Sequence, residues 1–302
     1  MPLTCIGIDE AGYGPTLGPL VIVAVGAWGG NAGVIDEALA VMGVCDSKRL
    51  HRPKNLAPLE RVALAGIDWL TGTRPRDAAS LFACFDDDAQ ACQRCPWLND
   101  AANLRLPLAA TGLHPWTLGA VRPQTLRGRI VHPLTLNRAA ADGLNKASLE
   151  VATIAALLAD IAQASDGDLH AVVDRLGGRR YYADHLDPAL TDWQRHDQDE
   201  AQAVSRYSYN HTTAQRQARI AFMVGGEDHS RLTALASCIA KYVREVHMHL
   251  FNTWWCRHCP GLAPTAGYPQ DAARWLADLP PQERLEHTPH LVRGTDVRAR
   301  SL

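Results

Sequence analysis

Two short runs rich in Ile and Val, residues 4–9 (TCIGID) and 19–27 (PLVIVAVGA), bracket a stretch holding Gly12, Gly14, Pro15 and Gly18. Apolar β-branched runs separated by glycine and proline read as strand, turn, strand. The constraint on the fold comes from how the first strand ends, on two adjacent acids, Asp9 and Glu10. Other acids share that setting. Asp174 ends the apolar run of DLHAVVDR, and Glu227 with Asp228 lies between the strand-like ARIAFMV and a helical segment. A helix feeding a strand that ends on an acid is an α/β arrangement. Ligands in open α/β sheets sit at such strand ends, and several acids meeting there repel one another unless a hard cation holds them. Oxygen-only ligands suit Mg²⁺ or Mn²⁺.

Adjacent strand residues point to opposite faces, so Asp9 and Glu10 reach one metal site only if the chain bends at Glu10. Gly12 and Gly14 supply that bend, and a glycine-flanked turn also exposes backbone N–H groups that hold phosphate. Each acid alone is as readily a solvated residue or a helix cap. The joint pattern favours a metal site.

Along the rest of the chain, residues 137–164 carry apolar positions at helical spacing, including Leu149, Val151, Ile154, Leu157, Leu158 and Ile161. Strands are expected near 205–209 and 218–224, and a helix over 229–251. Residues 55–130 have poor periodicity apart from helical pieces near 57–66 and 78–92, and read as an insertion. The expected organisation is one domain over 1–302, with an inserted region at 55–130 and a helical C-terminal part at 229–302. A 302-residue chain that is 47% hydrophobic and 21% charged fills a real core, and its net charge of −2 means that any polyanion is met locally. No run of about 18 apolar residues and no signal-peptide pattern occur, so the expectation is a soluble, cytoplasmic monomer without a membrane partner.

The segment GIDEAGYGPTLGPLVIVA, from Gly7, closely resembles the opening of the type 2 ribonucleases H, GxDEAGRGxxxGPxVxAA. Asp46, Ser47, Lys48, Arg49 and Leu50 are similar to the family's next landmark, and Val173–Asp174 to its third acid. Ser237, Cys238, Ile239, Ala240 and Lys241 resemble a family helix whose Ser follows the fourth acid by ten residues, which points to Glu227, with Asp228 in reserve. Gly267 and Tyr268 resemble the Gly-Tyr whose ring packs against a sugar. The departures are Tyr13 where the family has a cation, His229 where it has Lys, and Arg175–Gly178 after the third acid.

The resemblance implies a ribonuclease H-like α/β fold, a mixed sheet flanked by helices. It also implies two Mg²⁺ or Mn²⁺ ions held by Asp9, Glu10, Asp174 and Glu227, and cleavage of RNA in RNA–DNA hybrids or at ribonucleotides embedded in duplex DNA. Gly12, Tyr13, Gly14, Ser47, Lys48, Ser237, Lys241 and Tyr268 would meet the nucleic acid. The alternative is an inactive or retargeted nucleic-acid-binding module of the same fold. Two Cys-x-x-Cys-Pro pairs, Cys92/Cys95 and Cys256/Cys259, would make a zinc site if the inserted region folded against the C-terminal part, though buried or idle thiols are the larger expectation. Arg179, Arg180, Tyr181 and Tyr182 either grip a backbone or start an ordinary helix, and Trp254 and Trp255 read as core.

Overall fold

The computed structural model describes residues 3–52 and 55–294. Its strands are β1 (Leu3–Ala11), β2 (Leu20–Trp28), β3 (Asp86–Asp87), β4 (Arg122–Val131), β5 (Asp168–Asp174), β6 (Trp193–Glu200), β7 (Val204–His211) and β8 (Gln217–Met223). They form one mixed sheet in the order β3-β4-β2-β1-β5-β8-β7-β6. β1, β5 and β8 run parallel, while β2 is antiparallel to both β1 and β4. The architecture is the mixed α/β sheet flanked by helices that the sequence leads one to expect.

The helices are α1 (Ala32–Val41), α2 (Ser47–Leu50), α3 (Ala57–Thr71), α4 (Ala78–Phe82), α5 (Ala89–Cys92), α6 (Pro133–Ala141), α7 (Lys146–Ala164), α8 (Ala183–Ala189), α9 (Gly226–His229), α10 (Arg231–His258), α11 (Pro269–Asp278) and α12 (Pro281–Leu291). On one face of the sheet α10 and α3 cover Val21, Val23 and Val25, and on the other α7 covers Ile6, Ile8, Ile22 and Val173. β1 and β2 are buried on both faces, which explains their near-continuous apolar runs.

α10 crosses β1 so closely that a Cβ on Gly7 would stand 2.1 Å from the Thr233 nitrogen, so only glycine fits there. Thr233 Oγ1 donates to the Val172 carbonyl at 2.9 Å and fixes the same crossing over β5. α7 begins on Asn145, whose Oδ1 accepts from Ser148 N at 2.9 Å. By length and composition α7 could also cross a membrane, but in this fold its apolar stripe covers the sheet.

The single helix expected over 137–164 is two, parted at Gly143 with its φ of 84°. The helix expected from 229 is preceded by a separate short turn, α9, and α10 runs on to His258. Arg122–Val131, inside the range read as an insertion, is a strand of the central sheet, paired with β2. The polar stretch 193–200 is β6, the last strand in the sheet order and mostly exposed, so apolar alternation is not needed. The loop following α4 and α5 is tied to the core by Glu60 of α3. This fully buried carboxylate accepts from Leu108 N, Ala109 N and Ala110 N at 2.5–2.7 Å and from the Tyr242 hydroxyl at 2.7 Å.

Candidate active site

The sheet register brings the acids together. Ile8 pairs with Val173, so the next residues on these adjacent parallel strands are Asp9 and, one step on, Asp174. Asp9, Glu10 and Asp174 each offer a carboxylate oxygen, all within 4.8 Å of one another. Asp9 is 5% exposed, and its Oδ1 accepts from Glu10 N at 2.8 Å. Asp174 Oδ1 accepts from Gly226 N at 2.7 Å, where the chain leaves β8 through Gly225 at a φ of 65°.

Glu227, in the first turn of α9, lines the same cleft but is turned toward Lys48, whose Nζ donates to Oε1 at 2.8 Å. Ser237 Oγ donates to Glu227 Oε2 at 3.2 Å and lies 3.0 Å from Ser47 Oγ, which joins α10, α9 and α2. Asp228 is exposed, so Glu227 is the acid that faces the cleft. Lys48 stands on α2, a turn capped by Asp46 Oδ1 accepting Lys48 N at 2.8 Å.

The cleft measures about 180 Å³ and is lined by Asp9, Glu10, Gly12, Ser47, Lys48, Asp174, Glu227, Ser237, Lys241 and Tyr268, together with Arg244 and Glu245. Of the residues expected to meet nucleic acid, Tyr13 and Gly14 fall outside that lining, Tyr13 half-buried and Gly14 exposed. The turn is pinned from several directions. Gly267 O accepts Thr16 N at 2.7 Å and Leu17 N at 3.1 Å, which draws the Gly-Tyr pair to the strand turn. The Arg293 guanidinium donates to Gly12 O and, through Nε at 2.7 Å, to Gly18 O. Gly12 has a φ of 92° and would meet Arg244 at 2.7 Å with any Cβ, so glycine is required.

The electrostatics are those of crowded acids. Burial, then Glu10 and Asp174, raise Asp9 well above the usual carboxylate range. Burial and then the Glu150 carboxylate hold Glu10 up to about 8. Asp174 is raised by burial, and Glu227 is raised by burial against the pull of Lys48. Glu150, on α7, is an acid that the sequence reading did not single out. It is 1% exposed, both of its oxygens lack a hydrogen-bond partner among the described residues, and burial holds it up to about 8. Glu10 Oε2 is likewise buried and unpartnered.

Lys146, one turn before Glu150, was also missed. Its Nζ sits 3.8 Å from the Tyr13 ring centroid and donates to Tyr13 O at 2.7 Å, so a cation stands beside the position where the resemblance led us to expect one. The Arg179–Tyr182 cluster divides. Tyr182 is core, stacked at 3.6 Å on Phe222, while Tyr181 is exposed. Trp255 is fully buried, as expected. Cys92 and Cys95 approach His132, whereas Cys256 Sγ donates to Leu262 O at 3.2 Å, and among the described residues no hydrogen bond joins the two thiol pairs.

Residues 6–63 match the family model described as Ribonuclease HII. The chain is 38% identical over 66 residues to ribonuclease HII of Rickettsia bellii, 22% of this chain and 29% of that protein. It is 33% identical over 66 residues to ribonuclease HII of Vibrio cholerae, 22% of this chain and 28% of that one. The matched segment thus spans under a third of the curated relatives' length. Among solved structures, Bst ribonuclease HIII in complex with Mn²⁺ aligns over 97% of this chain and 66% of its own, at 17% identity and a TM-score of 0.46. Ribonuclease HII of Archaeoglobus fulgidus, from a complex with PCNA, aligns over 96% and 93%, at 16% identity and a TM-score of 0.45. The matched segment holds Asp9, Glu10, Gly12, Ser47 and Lys48 of the cleft, and over that segment the chain is similar to the type 2 ribonucleases H.

Proposed function

We propose that this chain is a metal-dependent endonuclease that cleaves RNA in RNA–DNA hybrids or at ribonucleotides embedded in duplex DNA. The observation that carries the reading is the meeting of Asp9, Glu10 and Asp174 within 4.8 Å at the ends of parallel strands. A buried Asp9 and half-buried Glu10 and Asp174 at that separation, with Glu10 Oε2 left without a partner among the described residues, fit a hard divalent cation rather than a solvated acidic surface. Asp9, Glu10, Asp174 and Glu227 would hold two Mg²⁺ or Mn²⁺ ions, which when bound supply an activated water and stabilise the leaving oxygen.

The chain's own groups do the rest. Glu227, now paired with Lys48, would hold the cation instead, which would leave the Lys48 ammonium available for a phosphate. Lys241 and Arg244 line the same wall and offset the phosphate charge. Tyr268, 53% exposed at the start of α11, presents a ring face to a sugar or base. The strained turn at Gly12 lets backbone N–H groups approach a 2′-hydroxyl, which separates ribose from deoxyribose. A retargeted module of the same fold is the second reading, favoured by Tyr13 in place of the family's cation.

The test is a cleavage panel on hybrid, single-ribonucleotide duplex, all-DNA and all-RNA substrates with Mg²⁺ or Mn²⁺. Cutting confined to the hybrid or the ribonucleotide junction supports the proposal. Equal cutting of all-DNA duplex removes the role given to the glycine turn, and no cutting of any substrate favours the binding-module reading.

A further inference from the structure

A second group of metal-binding side chains lies apart from the cleft. Asp87 of β3, Cys92 at the end of α5 and His132 just before α6 bring a carboxylate oxygen, a thiol and an imidazole nitrogen within 4.8 Å of one another. None of them lines the acidic cleft. His132 is 1% exposed, with Nε2 at 2.8 Å from Asp87 Oδ1 and at 3.5 Å from Cys92 Sγ. Cys95 completes the Cys-x-x-Cys pair, its Sγ 3.8 Å from Nδ1 of the same ring.

The spacing can be compared with a filled site. Zinc–sulfur and zinc–nitrogen bonds of about 2.3 and 2.1 Å meeting at a tetrahedral angle put the two ligand atoms about 3.6 Å apart. Cys92 Sγ and His132 Nε2 stand at 3.5 Å, so that edge of the tetrahedron is already made. The Asp87–His132 edge, at 2.8 Å, must open by about 0.6 Å to reach the roughly 3.4 Å that two bonds of about 2.1 Å require. Cys95 has to turn from the Nδ1 side to become the fourth ligand.

The frame around these groups is fixed before any ion arrives. Asp88 caps α5 by accepting Gln90 N at 3.0 Å and Ala91 N at 3.1 Å, and its other oxygen accepts Thr135 Oγ1 of α6 at 2.8 Å. α5 and α6 are thereby tied with Cys92 and His132 facing each other. The nearby His247 accepts the Trp97 indole N–H through Nε2 at 3.4 Å, and its Nδ1 is buried without a partner among the described residues.

We propose that Asp87, Cys92, Cys95 and His132 form a zinc site that clips β3 and α5 to the edge of the sheet at β4. Thiolate and imidazole ligands select zinc-class ions over Mg²⁺, so this site and the acidic cleft take different metals.

The test uses the full-length protein stripped of metal by a chelator and titrated with Co²⁺, then with Zn²⁺. Expected is one equivalent of Co²⁺ giving thiolate-to-cobalt charge-transfer absorption, displaced by Zn²⁺ but not by excess Mg²⁺. Cys92→Ser and Cys95→Ser should each remove about half of that absorption, or more where Co²⁺ binding is also weakened. Absence of the band, its displacement by Mg²⁺, or its survival unchanged in Cys92→Ser overturns the proposal. If circular dichroism shows Cys92→Ser to be unfolded, Asp87→Asn at the margin of the site decides instead. Co²⁺ binding weaker by about tenfold or more supports the site, and unchanged affinity refutes it.

Discussion

Glu150→Gln should make the metal-free protein more stable at neutral pH, the reverse of the usual outcome for a change at a buried position. The Glu150 carboxyl is held up to about 8 against an ordinary 4.5, because burial and the nearby Asp9 disfavour its charge. Between those two values the folded chain retains a proton that the unfolded chain has released, so stability falls as pH rises across the window. At pH 7, two and a half pH units above 4.5, this costs the folded chain about 3 kcal/mol. A glutamine amide would still be buried without partners at a cost of about 1–3 kcal/mol, which leaves a net gain of about 0–2 kcal/mol. Urea unfolding in a chelator at pH 5, 6, 7 and 8 measures it. The variant should be the less stable protein at pH 5, overtake the wild type toward pH 7 and lose that advantage when Mn²⁺ discharges the neighbouring acids. An advantage independent of pH, or a variant less stable than wild type at pH 7, would refute the reasoning.

Two further outcomes follow from single contacts. Glu60→Ala strips three backbone N–H groups and the Tyr242 hydroxyl of their acceptor. Denaturant unfolding should therefore show a loss of about 3–5 kcal/mol, and a loss below about 1 kcal/mol would mean that the loop ties itself down elsewhere. If the Lys146 ammonium beside Tyr13 meets a phosphate, Lys146→Gln should flatten the plot of log K against log salt for duplex binding by about 0.9. An unchanged slope would place that cation outside the interface.

The acids at the strand ends were legible because they are local signals, a residue type set at the end of a β-branched run. Glu227 was chosen over Asp228 by its offset of ten residues from Ser237, and the structure supplies the physical reason in the Ser237 hydroxyl bonded to Glu227. Glu150 left a readable trace that was passed over. It falls four residues before Ile154, on the helix stripe that carries Leu157 and Leu158, where an acid has no apolar reason to be.

Lys146 left one as well. The chain has only four Lys against twenty-six Arg, and Lys48, Lys146 and Lys241 all stand in or beside the cleft. The strands β4 and β6 were hidden for another reason. β6 lies at the sheet's edge, and β4 exposes Arg122, Arg127 and Arg129 on one side, so neither carries the apolar run of a strand buried on both faces. The placement of Cys92 beside His132 depends on α5 meeting the start of α6, a contact between residues forty positions apart that no spacing rule encodes.

The most direct test of the central claim is cleavage of a duplex carrying one ribonucleotide, with and without Mn²⁺, by the wild type and by Asp9→Asn. The account predicts cutting at the ribonucleotide by the wild type only when the ion is present. It predicts no detectable cutting by Asp9→Asn, whose unfolding midpoint in chelator should equal or exceed that of the wild type, because a mutually repelling charge has been removed. Ion-independent cutting, or an Asp9→Asn protein that cuts as well as the wild type, would contradict it.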